Sequence, residues 1–231
     1  MLAQVGGLYR RQNSGYPLFS VRVRSRRESR WGHKKIRKEF SMINFKQIVD
    51  DFWNYVSNNG IEIYNEFSLQ FELGIFLRSR TELKNYKIQF ERNISYFGIN
   101  SATVKHEIDI VIFNADKSEK YAIELKFPQN GQVPEQMYSF VRDIVFMEQL
   151  KLSGFTDTYV LTVANDRNFW QGKSTGEDIY KYFRNIPQDI TGKVFKPTGQ
   201  NKRIEYIEVH GVYLVQWADC CLGKYYFIKT L

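Results

Sequence analysis

The first regular pattern of apolar and polar residues begins shortly after residue 43. Apolar side chains recur there at intervals of three and four, at Phe45, Ile48, Val49, Phe52, Trp53 and Val56. This spacing places them on one face of an α-helix. Asn44 can cap the amino end of that helix, and Gly60 is typical of a carboxyl end. The pattern therefore predicts an amphipathic helix that ends near Gly60.

The next apolar segment, residues 66–80, fits two kinds of structure. Its apolar side chains alternate with polar ones from Phe67 to Leu77, as they would in a strand. Its length, its lack of Val and Thr, and its content of Leu, Glu, Gln and Arg favour a helix instead. We predict a helix for this segment.

Two short apolar runs in the middle of the chain carry charged side chains. Residues 106–113 read His-Glu-Ile-Asp-Ile-Val-Ile-Phe, and residues 121–127 read Tyr-Ala-Ile-Glu-Leu-Lys-Phe. Both runs are rich in strand-forming residues. Alternation along a strand places Glu124 and Lys126 on one face, and it places Asp109 opposite the isoleucines that flank it. Because a buried carboxylate is costly unless it is paired or bound to a metal, these three charges indicate a chemical role.

The surrounding elements are predicted from the same kind of pattern. Residues 86–95 form a strand ahead of the two charged ones, and residues 158–164 form a buried strand after them. Between them Pro134 opens a helix that ends at Gly154 and carries an apolar stripe at Met137, Phe140, Val141, Ile144, Val145 and Met147. A strand–helix–strand unit normally gives a parallel pair with a right-handed crossover. The predicted order is helix, three strands, helix, strand.

The pattern beyond Phe169 is less regular. A helix is predicted near residues 177–184, followed by a polar stretch rich in Gly, Pro and Lys. Strands are predicted near residues 206–209, 211–217 and 225–229. No repeat, low-complexity tract or clear linker interrupts this part, so residues 42–231 are predicted to form a single domain.

The pattern of Asp109, a polar turn and then Glu124-Leu125-Lys126 resembles the signature of the PD-(D/E)xK nuclease superfamily, also called restriction-endonuclease-like. Ile108 stands where that signature has its nominal proline, at a position that varies widely in the family. The resemblance covers residues 61–170 and implies an α/β fold with an αβββαβ core. A central mixed sheet would be flanked by helices, and the later strands would form a C-terminal β elaboration.

The tripeptide Glu-Leu-Lys alone does not identify a nuclease site, because the chain contains a second copy of it. Glu82-Leu83-Lys84 has the same spacing but lies in a charged stretch with no apolar strand around it. The resemblance is therefore supported by the alternation of side chains along the two strands and by the order of elements, and not by the tripeptide.

The three charged residues suit phosphodiester hydrolysis. Asp109 and Glu124 on adjacent strands could point two carboxylates at one Mg²⁺ ion, for which Mn²⁺ could substitute, since such hard cations prefer oxygen ligands. Lys126 could orient a water molecule and stabilise developing negative charge. The alternative is a structural ion pair of these carboxylates and the lysine at a sheet edge.

Other polar residues are weaker candidates for the site. Glu72 lies on the predicted second helix, where some members of the resembled superfamily carry another acidic residue, but it could equally be a solvated helix charge. Glu107 could bind a second metal ion, although a strand-edge charge is the simpler interpretation, and Glu91 has similar status. Gln136 could contact phosphate, although an exposed glutamine is the simpler interpretation. Residues that could contact DNA are Lys105, Lys151, Lys173 and Arg167.

The positive charge of the chain is concentrated at its amino end. Residues 1–41 hold eleven Lys or Arg and two Asp or Glu, an excess of +9, whereas the whole chain carries +8. This segment has no hydrophobic periodicity, so it is predicted to be a disordered basic arm or a non-native start ahead of Met42. The arm could add phosphate contacts, but the high isoelectric point by itself says little about nucleic acid.

The cysteines and the lengths of the apolar runs limit the compartments and partners that the chain can have. The two cysteines, Cys220 and Cys221, are adjacent, which fits a reducing compartment and no disulfide framework. No apolar run approaches the length of a membrane span. Together with the resemblance to the nuclease superfamily, these features lead us to expect a cytoplasmic, Mg²⁺-dependent deoxyribonuclease, an endonuclease that acts on DNA without membrane association, with a homodimer left open. The alternatives are an inactive nucleic-acid-binding module of the same fold and an RNA nuclease.

Overall fold

The computed structural model describes residues 43–129, 131–174 and 178–231. It begins with helix α1, Phe45–Asn59, and helix α2, Glu66–Ser79. The Asn44 side chain accepts a hydrogen bond from Gln47 N, and a capping box formed by Asn65 and Ser68 begins α2. Both predicted helices are confirmed, whereas the prediction for residues 1–41 lies outside the described residues.

The next elements form the centre of the fold. Strands β1, Lys87–Asn93, β2, Glu107–Phe113, and β3, Lys120–Lys126, follow α2. Helix α3, Val133–Leu152, then connects β3 to strand β4, Asp157–Ala164. The predicted order of helix, three strands, helix and strand is confirmed, and β3 and β4 are parallel as the strand–helix–strand rule requires.

The carboxyl-terminal strands belong to two different sheets. Strands β5, Ile190–Phe195, and β6, Tyr206–Tyr213, pair only with each other among the described residues. Strands β7, Ala218–Cys220, and β8, Gly223–Thr230, extend the central sheet, whose order is β1-β2-β3-β4-β8-β7. The chain is therefore an α/β protein with a mixed six-stranded sheet. Within the described parts of the chain, no helix combines the length and apolarity needed to cross a membrane.

The helices cover both faces of the central sheet. One core lies between the sheet and α1 and α2, and it contains Ile110, Ile112 and Ile123. The other lies between the sheet and α3, and it contains Val111 and Ala122. Burial of these two apolar layers is the main force that holds the helices on the sheet.

Three sequence predictions are corrected by the structure. The helix near residues 177–184 is a single 3₁₀ turn, Ile179–Tyr182. The polar stretch that follows contains strand β5, which was not predicted. The separate strands at 206–209 and 211–217 are one strand, β6, that ends at Tyr213. Tertiary packing against α3 decides the structure here, because the local sequence has no strong period of its own.

Glu148 of α3 ties strand β6 to the body of the protein. Its carboxylate accepts hydrogen bonds from His210 N at 3.1 Å, from Gly211 N at 2.6 Å and from the Tyr213 hydroxyl at 2.9 Å. Glu148, Gly211 and Tyr213 are buried, so the Gly211 N–H and the Tyr213 hydroxyl have no alternative acceptor in water. The charge is stabilised by the hydrogen bonds that it accepts, and the β5–β6 hairpin is fixed to α3.

We expect Glu148→Ala to lower the free energy of unfolding by about 3 kcal/mol, because it leaves buried N–H and O–H donors without an acceptor. Urea unfolding followed by circular dichroism measures the change. Glu135→Ala, near the start of the same helix, is the control and should have a far smaller effect. Equal stability of wild type and Glu148→Ala would show that the hairpin is held by other contacts.

Candidate active site

The predicted site lies where strands β2 and β3 separate. Their pairing ends at Ile110 and Ile123. One residue further along, Asp109 Oδ2 accepts a hydrogen bond of 2.7 Å from Leu125 N, in place of a backbone acceptor from β2. The carbonyl of Asp109 accepts a hydrogen bond of 2.8 Å from Gln70 Nε2 of α2. The Asp109 carboxylate is therefore held between the two strand ends.

The alternation of side chains between the two faces of β2 is interrupted at Asp109. Ile108 packs in the α3 core, whereas Ile110 packs in the core beneath α1 and α2, so the prediction that they share one face is wrong. Glu91 lies on β1 between the partners of these two residues and has a φ of 47°, which no regular strand residue adopts. The Glu91 carboxylate accepts a hydrogen bond of 2.5 Å from Gln70 Nε2.

Glu124 is the most deeply buried charged side chain of the site. It is 0% exposed and projects towards α3, because its neighbours Ile123 and Leu125 pack on the opposite side of the sheet. Neither carboxylate oxygen accepts a hydrogen bond from the described residues. Its contact is an ion pair between Oε1 and the ammonium of Lys105. A buried carboxylate with no hydrogen bond is uncommon and needs another source of positive charge.

Asp143 of α3 contacts the same ammonium group as Glu124 and was not among the predicted site residues. Its Oδ1 lies 3.2 Å from Lys105 Nζ, and its Oδ2 lies 3.8 Å from Lys126 Nζ. Oδ2 is buried and accepts no hydrogen bond from the described residues. The sequence did contain a signal, since Asp143 falls three residues after Phe140 on the apolar stripe of the helix.

Lys105 comes from the loop that precedes β2. That loop is attached to α3 by a hydrogen bond of 2.9 Å from Val104 N to Gln149 Oε1. The Lys105 ammonium thereby reaches both Glu124 and Asp143. The prediction for Lys105 was contact with DNA alone, whereas its ammonium lies within the carboxylate cluster.

Lys126 is held by α2 as well as by α3. Its Nζ lies 3.3 Å from Glu66 Oε1 and donates to Leu125 O at 3.1 Å. Glu66 Oε2 in turn accepts a hydrogen bond of 3.0 Å from Phe127 N. Glu66, the first residue of α2, was also missed, because only the tertiary fold brings it to the end of β3.

The charges of the site do not balance. The carboxylates of Glu66, Asp109, Glu124 and Asp143 carry four formal negative charges, and the ammonium groups of Lys105 and Lys126 carry two positive ones. Burial raises the pKa of Asp109 to about 7, although the nearby ammonium groups oppose this. Burial also raises the pKa of Asp143. These shifts favour the protonated carboxyl groups when no cation is bound. With all four carboxylates ionised, one divalent cation would neutralise the excess of two negative charges.

The pKa of Lys126 is raised despite its burial. Burial lowers that pKa, but the carboxylates of Asp143, Glu66 and Asp109 together outweigh the effect. Lys126 therefore keeps its proton and its charge at neutral pH, so its ammonium is available as a hydrogen-bond donor to an anionic group.

We expect Asp109 to make the metal-free chain less stable as the pH rises from 3.8, the ordinary pKa of this carboxyl group, to about 7. In this window the folded chain retains a proton that the unfolded chain has released, so the free energy of unfolding falls with pH. Asp109→Asn removes this contribution and keeps an acceptor for Leu125 N. Urea unfolding at several pH values measures the difference between variant and wild type. The difference should grow across the window and stay constant above it, and parallel curves would contradict the assignment.

Two open cavities adjoin the charged residues. One, of about 270 Å³, is lined by Glu66, Phe67, Gln70, Glu91, Asp109 and Leu125. The other, of about 430 Å³, is lined by Asn65, Glu66, Phe67, Lys126, Phe127, Pro128, Gln129 and Gln136. Glu66 and Phe67 belong to both cavities. Asp109 and Lys126 are therefore accessible to a ligand from neighbouring hollows.

The weaker candidates are distributed unevenly around this centre. Gln136 lines the second cavity, and Glu91 lines the first. Glu72 lines neither cavity, because it lies about 200° around the helix from Gln70, which faces the site. Glu107 is exposed at the start of β2. Lys151 is paired with Asp157 at 2.9 Å.

The carboxylates are arranged around ammonium groups. In the described ranges, no three His, Cys, Asp or Glu side chains form a group that could hold a metal ion together. The Lys105 ammonium instead lies between Glu124 and Asp143. The positions of these side chains thus correspond to a cluster neutralised in part by lysine.

Comparison with known proteins leaves the chain without a recognised relative. No protein-family model, curated protein or solved structure matches it significantly. Its function is therefore inferred from the geometry and charge of the residues described above.

Proposed function

We propose that the chain is a Mg²⁺-dependent deoxyribonuclease, an endonuclease of the PD-(D/E)xK or restriction-endonuclease-like kind. The main support is Glu124, a fully buried carboxylate whose Oε1 contacts the Lys105 ammonium and whose Oε2 has no partner among the described residues. Glu124 and Asp143 both contact the Lys105 ammonium, and the cluster would carry two excess negative charges with every carboxyl group ionised. Such a carboxylate is suited to a metal ligand.

The carboxylate oxygens available at the site are suitable ligands for Mg²⁺. Mg²⁺ prefers carboxylate oxygens and often uses only one or two of them, together with water and phosphate. Asp109 and Glu124 would hold the ion, and water and phosphate would complete its coordination. When bound, the ion neutralises phosphate charge and lowers the pKa of a coordinated water. Mn²⁺ has similar ligand preferences and is expected to substitute.

Lys126 supplies the fixed positive charge of the reaction. Its raised pKa keeps it protonated, and the ion pair with Glu66 fixes its position at the end of β3. From there its ammonium can orient a water molecule and donate to a phosphate oxygen as negative charge develops. Gln70 contributes by holding the Asp109 backbone and the Glu91 carboxylate in place. Gln70 is a positioning residue in this scheme.

The preference for DNA over RNA is supported by the resemblance of Asp109, Glu124 and Lys126 to the nuclease signature. The chemistry of the carboxylates suits either polymer, since both contain phosphodiester bonds. An RNA nuclease therefore differs from the main proposal in substrate and not in site.

A non-catalytic nucleic-acid-binding module is the second candidate function. It is favoured by Lys105, whose ammonium contacts Glu124 and Asp143 and could complete a purely structural ion-pair network. In that case the buried carboxylates would stabilise the loop before β2 and would have no part in chemistry.

A cleavage assay separates these functions. Metal-free protein is incubated with plasmid, linear duplex, single-stranded DNA and RNA, with and without Mg²⁺. The proposal expects nicked or linear plasmid only when Mg²⁺ is present. Cleavage of RNA alone would support the RNA nuclease. Binding without cleavage under all conditions, including Mn²⁺, would support the binding module.

A further inference from the structure

A cavity far along the chain from the carboxylate cluster is lined by basic and aromatic side chains. It has a volume of about 370 Å³ and lies between the 3₁₀ turn Ile179–Tyr182 and the β5–β6 hairpin. Its lining consists of Ile179, Lys181, Tyr182, Lys193, Val194, Phe195 and Arg203. Among the described residues, no carboxylate lines it. Three cationic groups around one hollow are suited to an anion.

The hairpin presents two aromatic rings beside this cavity. Phe195 and Tyr206 are partners across β5 and β6, and their ring centroids are 5.7 Å apart. They are 45% and 44% exposed, which is unusual for two adjacent large rings. The Lys193 ammonium lies 4.4 Å from the Tyr206 ring centroid, so a positive charge is next to the exposed aromatic surface.

Hydrogen bonds hold the backbone around the cavity in place. Arg203 N donates to Lys196 O at 3.2 Å, and Lys196 N donates to Glu205 O at 2.8 Å. Arg203 has a φ of 61°, a conformation that this turn imposes. Together with the attachment of β6 to Glu148, these bonds fix the basic and aromatic side chains to a rigid support.

We infer that this cavity and the adjoining ring pair bind single-stranded nucleic acid. Lys181, Lys193 and Arg203 would contact a backbone phosphate, and a base would stack on the Phe195 ring, with the inclined Tyr206 ring against its edge. Stacking on aromatic side chains beside a basic groove is a general mode of single-strand binding, and duplex bases are not free to stack in this way. The site needs no metal ion and no cleavage, so it is independent of the carboxylate cluster.

Fluorescence anisotropy in the presence of EDTA tests the inference without cleavage. The probes are a labelled single-stranded oligonucleotide and a duplex of the same sequence, with inorganic phosphate as a competitor. Wild type should bind the single strand more tightly than the duplex. Phe195→Ala should weaken single-strand binding by about tenfold. Lys193→Ala should weaken binding of both probes and reduce the salt dependence by about one phosphate contact.

Lys87→Ala, which removes an exposed lysine on β1, is the matched control and should bind as wild type does. Thermal melting of each variant confirms that it is folded. The inference is overturned by equal binding of single strand and duplex, by unchanged binding in both hairpin variants, or by full competition from inorganic phosphate at ordinary buffer concentration. The last result would identify a simple phosphate site.

Discussion

Glu124→Gln is expected to reduce Mg²⁺-dependent DNA cleavage by at least about a hundredfold while leaving the fold intact. The change removes one negative charge at the deepest carboxylate of the cluster and keeps the shape of the side chain. Because Glu124 is 0% exposed, a glutamine there has no access to solvent and offers only one neutral oxygen to a cation. Plasmid nicking measures the activity, and circular dichroism checks the fold.

The second Glu-x-Lys of the chain provides the matched control. Glu82 lies in the short 3₁₀ helix Thr81–Leu83 and is paired with Arg80 at 2.8 Å, away from the central sheet. Glu82→Gln and Lys84→Ala should therefore cleave as wild type does. Asp109→Ala and Lys126→Ala should behave like Glu124→Gln. Wild-type activity in all three site variants would remove the nuclease proposal.

Lys105→Met is expected to destabilise the metal-free protein by about 3 kcal/mol and to make its stability strongly dependent on Mg²⁺. The variant removes the ammonium that contacts Glu124 and Asp143, which leaves two buried carboxylates facing each other. A divalent cation that binds the folded state can replace the lost charge. Thermal melting with and without excess Mg²⁺ measures both effects, and the Mg²⁺-induced rise in Tm should exceed that of wild type.

Lys151→Met is the matched control for this experiment. Its side chain is 29% exposed, compared with 27% for Lys105, and it is also paired with an aspartate, Asp157. Asp157 keeps a second partner in Lys229 at 2.8 Å, so the loss of stability should be smaller and independent of Mg²⁺. If Mg²⁺ leaves the Tm of Lys105→Met unchanged, the carboxylates form a structural ion-pair network.

The order of elements predicted that Asp109, Glu124 and Lys126 lie on neighbouring strands, whereas the predicted alternation of side chains failed at Asp109, where Ile108 and Ile110 pack in different cores. Asp109, Glu124 and Lys126 lie together because β2 and β3 are adjacent and the polar turn between them is short. Asp143, Glu66 and Lys105 come from α3, α2 and a loop, and only tertiary packing brings them to the strand ends. A charged residue on an apolar stripe, such as Asp143, is the one signal that sequence reasoning could have used.

The carboxyl-terminal part was harder to predict for a physical reason. Strand β5 contains Gly192 and alternates only weakly between apolar and polar residues, so its structure depends on pairing with β6. Glu148 accepts hydrogen bonds from backbone N–H groups of β6, and such contacts cannot be predicted from the residue types of the strand. The local break at Glu91 also has no signature, because a positive φ at a glutamate is set by its surroundings.

A crystal grown without divalent ions and then soaked in Mn²⁺ tests the central claim most directly. We expect an anomalous difference peak within coordination distance of the Asp109 and Glu124 carboxylates, with the Lys105 ammonium moved away from Glu124. A crystal with no anomalous peak there, in which Lys105 still contacts Glu124 and Asp143, would contradict it.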